Sequence, residues 1–135
     1  EADIILLGIS RTGKTPLSIY LSNSKLKVVN IPIVPEARLP SDLWKLDKTK
    51  VFGLTMNVER LSLLRRERLK SLGLPGNAEY ASPKRIKEEL DFSKHIMDQM
   101  ECKLIDVSNL SIEETADIIH HHLKNGKSKG GRADE

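Results

Sequence analysis

The segment from Gly8 to Thr15, GISRTGKT, combines residue types that bind a polyphosphate. It follows the apolar run IILL, and its spacing G-x-x-x-x-G-K-[ST] is met by Gly8, Gly13, Lys14 and Thr15. Glycines let the backbone turn tightly, so that several N–H groups point into one concavity. The lysine adds a full positive charge for a phosphate, and the threonine hydroxyl is a ligand for magnesium. The motif predicts binding of a nucleoside di- or triphosphate and leaves the reaction open.

Each residue of this loop is a candidate contact of the nucleotide phosphates, namely Gly8, Ile9, Ser10, Arg11, Thr12, Gly13, Lys14 and Thr15. Ser10 and Thr12 would act through a hydroxyl or through the backbone. Lys14 is a candidate catalytic residue, and Thr15 is the candidate ligand of Mg²⁺. The alternative is a chance match in an ordinary strand–turn–helix corner. A predicted strand before the loop and a predicted helix after it favour the phosphate interpretation.

The metal of such a site usually needs a second carboxylate, often at the end of another strand. Asp106 ends the run LID and is the best-placed acid, which makes it the second candidate catalytic residue. The competing interpretation is a turn or cap residue before SNLS. The sequence leaves both interpretations open.

A cluster of cations lies on the predicted helix RLSLLRRERLKSL. Arg65 and Arg68 are three residues apart and therefore on one side of the helix. They are candidates for a phosphate clamp, and a solvated basic face is the alternative. Tyr80 is a candidate for stacking on a base, with packing as the alternative.

Strands and helices alternate along the chain. Apolar runs predict strands at 4–7, 27–34, 51–55 and 103–107, and helical spacing predicts helices at 14–21, 57–72, 83–100 and 111–123. Three helix starts are marked by Asn57, by Ser82 with Pro83, and by the capping box of Ser111 and Glu114. This order predicts an α/β fold of the P-loop kinase type, with a mainly parallel sheet and helices on both faces. We expect one nucleotide-binding domain over 1–124 and a disordered polar tail over 125–135.

Composition bounds the class of protein. The net charge of +3 fits a phosphate-bearing ligand or an acidic partner and is too weak to argue for nucleic acid. No apolar run approaches the length of a membrane span. A lone cysteine, Cys102, cannot form an internal disulfide, so a reducing cytoplasm is expected. The sequence does not fix the oligomeric state, and a homodimer is one of the assemblies left open.

Four stretches resemble the pyruvate, phosphate dikinase regulatory proteins, at the carboxy-terminal P-loop domain of that family. They are EADIILLGISRTGKTPLSIYLS, KVVNIPIVPEARLP, KVFGLTMNVERLSLLRRERLKSLG and KLIDVSNLSIEETADII. The similarity covers nearly everything from Glu1 to about Leu123. The most specific part is the loop followed by PLSIYL, which generic P-loop proteins do not share. The EARLP stretch and the absence of a transit segment resemble bacterial rather than plant members.

The resemblance implies two activities on one protein substrate. One is a serine/threonine kinase that takes phosphate from ADP and modifies a threonine beside the catalytic histidine of the dikinase. The other is a phosphorylase that removes this phosphate with inorganic phosphate and releases pyrophosphate. ADP, phosphate and Mg²⁺ are the expected ligands, and the dikinase is the expected partner. Family chains have a further amino-terminal region. If an acid that acts as base or metal ligand lies in that region, this chain would bind nucleotide without being a complete enzyme.

Three other functions stay open at this point. Regulators of phosphoenolpyruvate synthase also resemble the chain. A small-metabolite kinase of the adenylate or shikimate type would share the loop, and its acceptor would be free in solution. A nucleotide-gated interaction module would bind nucleotide tightly and transfer nothing.

Overall fold

The fold is built on one sheet of four parallel strands. The computed structural model describes residues 2–76 and 78–132, with side chains described as far as residue 125. The strands are β1 (Ile4–Gly8), β2 (Val28–Pro32), β3 (Val51–Thr55) and β4 (Lys103–Asp106), in the order β2-β1-β3-β4. Every strand pair is parallel. The parallel sheet predicted from the sequence is confirmed.

The central strands are continuous apolar runs, and the edge strands are not. All five residues of β1 are buried, as are the first four of β3. The edge strands β2 and β4 contain exposed positions, and within β4 only Ile105 is buried. Strands of a parallel sheet that are covered on both faces have this composition. The most buried strand, β1, is therefore the one that leads into the glycine-containing loop.

Four helices flank the sheet: α1 (Lys14–Ser22), α2 (Val58–Ser71), α3 (Pro83–Met100) and α4 (Ile112–Arg132). α1 packs against α4, and α2 packs against α3. The connection between β2 and β3 contains two short 3-10 helices, Ser41–Lys45 and Lys48–Lys50. The α/β class predicted from the sequence is confirmed.

Helix starts follow the predicted capping residues. The side chain of Asn57 accepts from the Arg60 amide at 2.8 Å, and that of Ser82 accepts from the Arg85 amide at 3.1 Å. At α4 the reciprocal bonds of a capping box join Ser111 and Glu114. Because α1, α2 and α4 begin directly after β1, β3 and β4, three helix N-termini lie at the carboxyl edge of the sheet. This edge is therefore favourable for an anion.

The carboxyl end of the chain differs from the expected boundary. The sequence predicts that the last helix ends near Leu123, whereas α4 continues to Arg132. Residues 133–135 and the side chains from 126 onward lie outside the described residues. The disordered tail over 125–135 and the domain limit at 124 stay predictions. Within the part of the chain that was searched, no helix has the length and apolar character needed to cross a membrane.

Candidate functional site

The loop between β1 and α1 lies where the order of the strands in the sheet reverses. From β1 the chain moves to β2 on one side, and β3 lies on the other side of β1. Open parallel sheets bind ligands at the carboxyl ends of strands that flank such a switch point. The fold therefore places residues 8–15 at the position that the topology alone would nominate.

The backbone of the loop takes conformations that its residue types explain in part. Gly13 has a φ of 91° and caps α1, and this left-handed region is open to glycine without strain. Arg11 also has a positive φ, 73°, which is uncommon for a residue with a Cβ. A Cβ at Gly8 would lie 2.6 Å from Thr12 Oγ1 and 3.2 Å from the Leu54 carbonyl oxygen. Both glycines of the motif are thus required by the shape of the loop.

Side chains hold the carbonyl groups of the loop from within. Thr12 Oγ1 donates to the Ile9 carbonyl at 2.8 Å, and Lys14 Nζ donates to the same carbonyl at 2.9 Å. Ser10 Oγ and the Tyr80 hydroxyl lie 2.5 Å apart. The hydroxyls of Thr12 and Ser10 therefore contact protein, so the expected contacts of these two residues with phosphate would run through their backbone. The Thr15 side chain is exposed, as a metal-binding hydroxyl requires.

Lys14 carries an ammonium group in a partly buried, cationic setting. Burial is the largest cause that lowers the pKa of Lys14, and together with the charges of Arg11 and Arg65 it brings this pKa from 10.5 to about 8. All three causes disfavour a positive charge on Lys14. A bound polyphosphate would relieve the repulsion, so this arrangement favours an anionic ligand.

Two clefts flank the loop and share Arg11 and Gly13. The first, which we call the lysine cleft, has a volume of about 380 Å³ and is lined by Lys14, Thr15 and the end of β2 at Pro32. The second, which we call the apolar cleft, has a volume of about 270 Å³. Its apolar walls come from the segments after β3 and β4 and from the start of α4: Met56, Val107, Leu110 and Ile112. Arg11 and Arg60 also line the apolar cleft, so cationic side chains lie on both sides of the loop.

The two arginines predicted to act together differ in burial. Arg65 is fully buried, and its guanidinium binds both carboxylate oxygens of Glu89, at 2.8 and 3.2 Å. Its Nη2 also donates to the Ser10 carbonyl at 3.2 Å. Arg68 is exposed, three residues further along α2. Arg65 therefore supports the loop from behind, and a phosphate contact by Arg68 stays a prediction.

Asp106 ends β4 and is engaged in a local turn. Its Oδ1 accepts from the Ser108 amide at 2.9 Å and from the Ser108 hydroxyl at 2.6 Å. The Ser108 hydroxyl in turn accepts from the Asn57 amide at 2.8 Å. These contacts favour the turn interpretation of Asp106 over the metal interpretation. In the part of the chain that was searched, no group of three or more His, Cys, Asp or Glu residues is placed to hold a metal ion.

Sequence reasoning missed the partners of Arg65. Glu89 lies on the buried face of α3 with Ile86 and Ser93, and it also accepts from Arg85 Nε at 2.8 Å. The Tyr80 ring, predicted to stack on a base or to pack, lies under the Arg65 guanidinium with its centroid 4.6 Å away. One signal was available: charged residues occupied apolar-face positions of both helices. A buried charge of this kind needs a partner of opposite sign.

The candidate site thus consists of a glycine loop with a lysine, placed at the switch point of an all-parallel α/β sheet. Residues 1–120 match the model of the kinase/pyrophosphorylase family, and the chain belongs to that family. It is thus a member of a phosphotransferase family, as the resemblance implied.

Several curated relatives are named pyruvate, phosphate dikinase regulatory proteins. The relative from Bacillus velezensis is 53% identical over 127 residues, which are 94% of this chain and 47% of that protein. The relative from Bacillus subtilis is 53% identical over 121 residues, 90% of this chain and 45% of that protein. The relative from Streptococcus uberis is 55% identical over 124 residues, 92% of this chain and 46% of that protein. The chain spans about half the length of these relatives.

Proposed function

We propose that this chain binds the polyphosphate of ADP at residues 8–15. It would be the nucleotide-binding part of an ADP-dependent threonine kinase and phosphate-dependent phosphorylase that regulates pyruvate, phosphate dikinase in the cytoplasm. The observation that carries the proposal is the loop itself, with Gly13 in the left-handed region and the Lys14 ammonium beside it at the switch point of the sheet. The family of the chain and the names of its relatives support the same assignment.

The residues of the loop would contact different parts of the Mg·ADP complex. The Lys14 ammonium would leave the Ile9 carbonyl, 2.9 Å away, and move to the terminal phosphate. The first amides of α1 and the positive end of that helix would face the phosphate oxygens. Thr15 is the residue that would hold Mg²⁺, and the ion would neutralise charge on the transferred group. The protein would thus act mainly by positioning and charge stabilisation.

The two proposed reactions balance around one phosphothreonine. In the kinase direction the threonine oxygen attacks the terminal phosphorus of ADP, the P–O bond to AMP breaks, and the hydroxyl proton passes to a base. In the phosphorylase direction an oxygen of inorganic phosphate attacks the phosphothreonine phosphorus. Pyrophosphate forms and the threonine oxygen regains a proton. Both reactions place a doubly phosphorylated species, ADP or pyrophosphate, at the same loop.

The test follows the phosphoryl group in the protein taken at the full length of its relatives. Dikinase phosphorylated on its catalytic histidine is mixed with ADP that is labelled in the terminal phosphate. We expect label on a dikinase threonine with one AMP released per phosphate transferred, and label in pyrophosphate when phosphate is then added. Lys14→Met should suppress both steps. The matched control Lys45→Met changes an exposed lysine and should leave both steps intact.

Three outcomes would contradict the proposal in different ways. Transfer from ATP and not from ADP would overturn the proposed donor. Turnover of small free hydroxyl compounds would favour a metabolite kinase. Tight nucleotide binding without any transfer, by protein that is folded and full length, would favour the interaction module.

A further inference from the structure

The surroundings of Arg65 connect the interior of the protein to the candidate phosphate loop. Arg65 is 0% exposed, and the side chain of its partner Glu89 is 10% exposed. Beyond the carboxylate, the guanidinium donates to two backbone carbonyls, those of Tyr80 at 2.9 Å and Ser10 at 3.2 Å. The second of these carbonyls belongs to the loop. A buried cation on α2 and a buried anion on α3 thus meet directly behind residues 8–15.

This pair is a poor device for stability. Removing two charges from water offsets most of their attraction, and apolar side chains of similar volume often stabilise a core as well or better. Arg65 Nε is in addition a buried donor with no hydrogen-bond partner in the part of the chain that the structure describes. An unsatisfied buried donor is itself unfavourable. We therefore interpret the Arg65–Glu89 pair as a device that fixes the position of neighbouring groups, rather than as a source of folding stability.

The hydrogen bond from Arg65 fixes the orientation of the peptide group between Ser10 and Arg11. In a trans peptide the C=O and N–H bonds point in opposite directions. Because the Ser10 carbonyl is bound by Arg65, the Arg11 amide is directed away from the interior, toward the side of the loop where the clefts lie. Arg11 sits at a φ of 73°, which a residue with a Cβ adopts only when its surroundings enforce it. The contact of Tyr80 with the Ser10 hydroxyl is a second restraint on the same residue.

We infer that Arg65, held in place by Glu89, is a positioning residue that orients the loop amides for phosphate without touching the nucleotide. The inference rests on the proposed function for the identity of the ligand. It assigns Arg65 a different role from the phosphate clamp expected from the sequence. The clamp would place the guanidinium on the ligand, whereas here the guanidinium is already surrounded by protein acceptors.

The test replaces the pair by apolar residues of similar length. The double variant Arg65→Met with Glu89→Met removes one cation and one anion, so the net charge is unchanged. The matched control is Lys87→Met with Asp91→Met, which removes an exposed ion pair from α3, the helix that carries Glu89. Affinity for Mg·ADP is measured by calorimetry, backbone order at residues 10–13 by amide NMR relaxation, and folding by thermal denaturation.

We expect the Arg65/Glu89 variant to fold, to bind Mg·ADP roughly tenfold more weakly, and to lose backbone order at residues 10–13. Strand β3 should keep its order, and the control variant should match the wild type in all three measurements. A merely structural role would lower the melting temperature and leave the loop ordered. Wild-type affinity and wild-type loop order in the folded variant would overturn the inference.

A second variant covers the case in which the double variant does not fold. Arg65→Lys keeps the charge beside Glu89 but loses the planar fork that reaches two acceptors at once. It should bind Mg·ADP several-fold more weakly, and unchanged affinity and loop order would overturn the inference. The order measurement needs no nucleotide. If the wild type binds no ADP, the proposed function fails, while the loop order of the variants still decides the role of Arg65.

Discussion

Two loops at the carboxyl edge of the sheet use their polar side chains in opposite ways. In the loop after β1, side chains donate to carbonyl groups: Thr12 and Lys14 to Ile9, and Arg65 to Ser10. In the loop after β4, the Asp106 carboxylate accepts from an amide and from a hydroxyl. Both loops precede a helix N-terminus, so their helix dipoles are alike.

The difference agrees with the proposal that the loop after β1, rather than the loop after β4, binds the phosphate. When side-chain donors occupy the carbonyls, the loop amides remain for an external acceptor, and the Lys14 ammonium would move to that acceptor from the Ile9 carbonyl. When a carboxylate occupies the amide and hydroxyl, the turn satisfies itself and adds a negative charge. A helix N-terminus alone is thus not a phosphate site, and the side chains of the preceding loop decide it.

The largest expected effect tests the contribution of the Lys14 ammonium in the loop after β1. Lys14→Met removes the ammonium nearest the proposed phosphate, and we expect the affinity for Mg·ADP to fall about 50-fold, the order of a lost charge-assisted contact. Calorimetry measures it, with thermal denaturation to show that the fold persists. An affinity within twofold of wild type would mean that Lys14 is not the phosphate cation and that the contrast between the loops is without consequence.

The second effect tests the backbone of the first loop. Gly13→Val places a β-branched residue at a φ of 91°, which is strained wherever it occurs. We expect about 20-fold weaker binding of Mg·ADP, because strain of this order distorts the start of α1. The same substitution at Gly76, on the connection between α2 and α3, is the control. It should be silent because, apart from its neighbours in the chain, no atom of the described residues lies within 4 Å of a Cβ there. Equal effects at both glycines would contradict the account.

The third effect is a pH dependence set by Lys14. Its pKa of about 8 means that the free protein loses the ammonium charge as pH rises through 8. Affinity for Mg·ADP should therefore fall between pH 7 and pH 9, by up to about tenfold, and this fall should be absent in Lys14→Met. A pH profile of the binding constant measures it, and an identical profile in the variant would assign the titration elsewhere.

The same group gives a stability change of opposite sign. Since the folded-state pKa lies below the ordinary value of 10.5, the folded protein binds fewer protons than the unfolded chain between pH 8 and 10.5. In that window Lys14 therefore makes the free energy of unfolding rise with pH. Denaturant titrations of wild type and Lys14→Met should diverge there, and parallel curves would contradict the lowered pKa.

The smallest expected effect concerns Asp106 in the loop after β4. Asp106→Asn keeps an oxygen for the Ser108 amide and removes the negative charge. We expect a change of less than about threefold in Mg·ADP affinity, within the range of a surface electrostatic effect. A large loss that is specific to the magnesium-dependent part of binding would instead make Asp106 the metal carboxylate and reverse our interpretation of this loop.

The sequence predicted the fold well because the responsible signals are local. The motif spacing, the apolar run of β1 and the caps at Asn57, Ser82 and Ser111 each act within a few residues. The support of the loop is not local: Arg65 and Glu89 are 24 residues apart, and Arg65 and Ser10 are 55 apart. Only the packing of α2 on α3 brings these groups together. The sequence therefore marked Arg65 as a functional cation and misjudged what it contacts.

The end of α4 was misjudged for a related reason. The segment NGKSKGGRADE has no apolar anchor, so the sequence predicts a helix through Leu123 with a polar tail after it. The helix nevertheless continues to Arg132. Its packed part lies earlier, where Ala116 and Ile119 are fully buried. The absence of an apolar anchor after Leu123 was therefore a weak guide to where the helix ends.

The central claim is that the amides of residues 8–15 surround a polyphosphate, and an NMR titration of this chain tests it directly. Mg·ADP is added to ¹⁵N-labelled protein, and adenosine is added to a parallel sample. We predict that ADP shifts the amide signals of Arg11 to Thr15 and that adenosine leaves them nearly unmoved. If ADP moves no signal in this loop, or moves only signals remote from it, the loop is not the phosphate site.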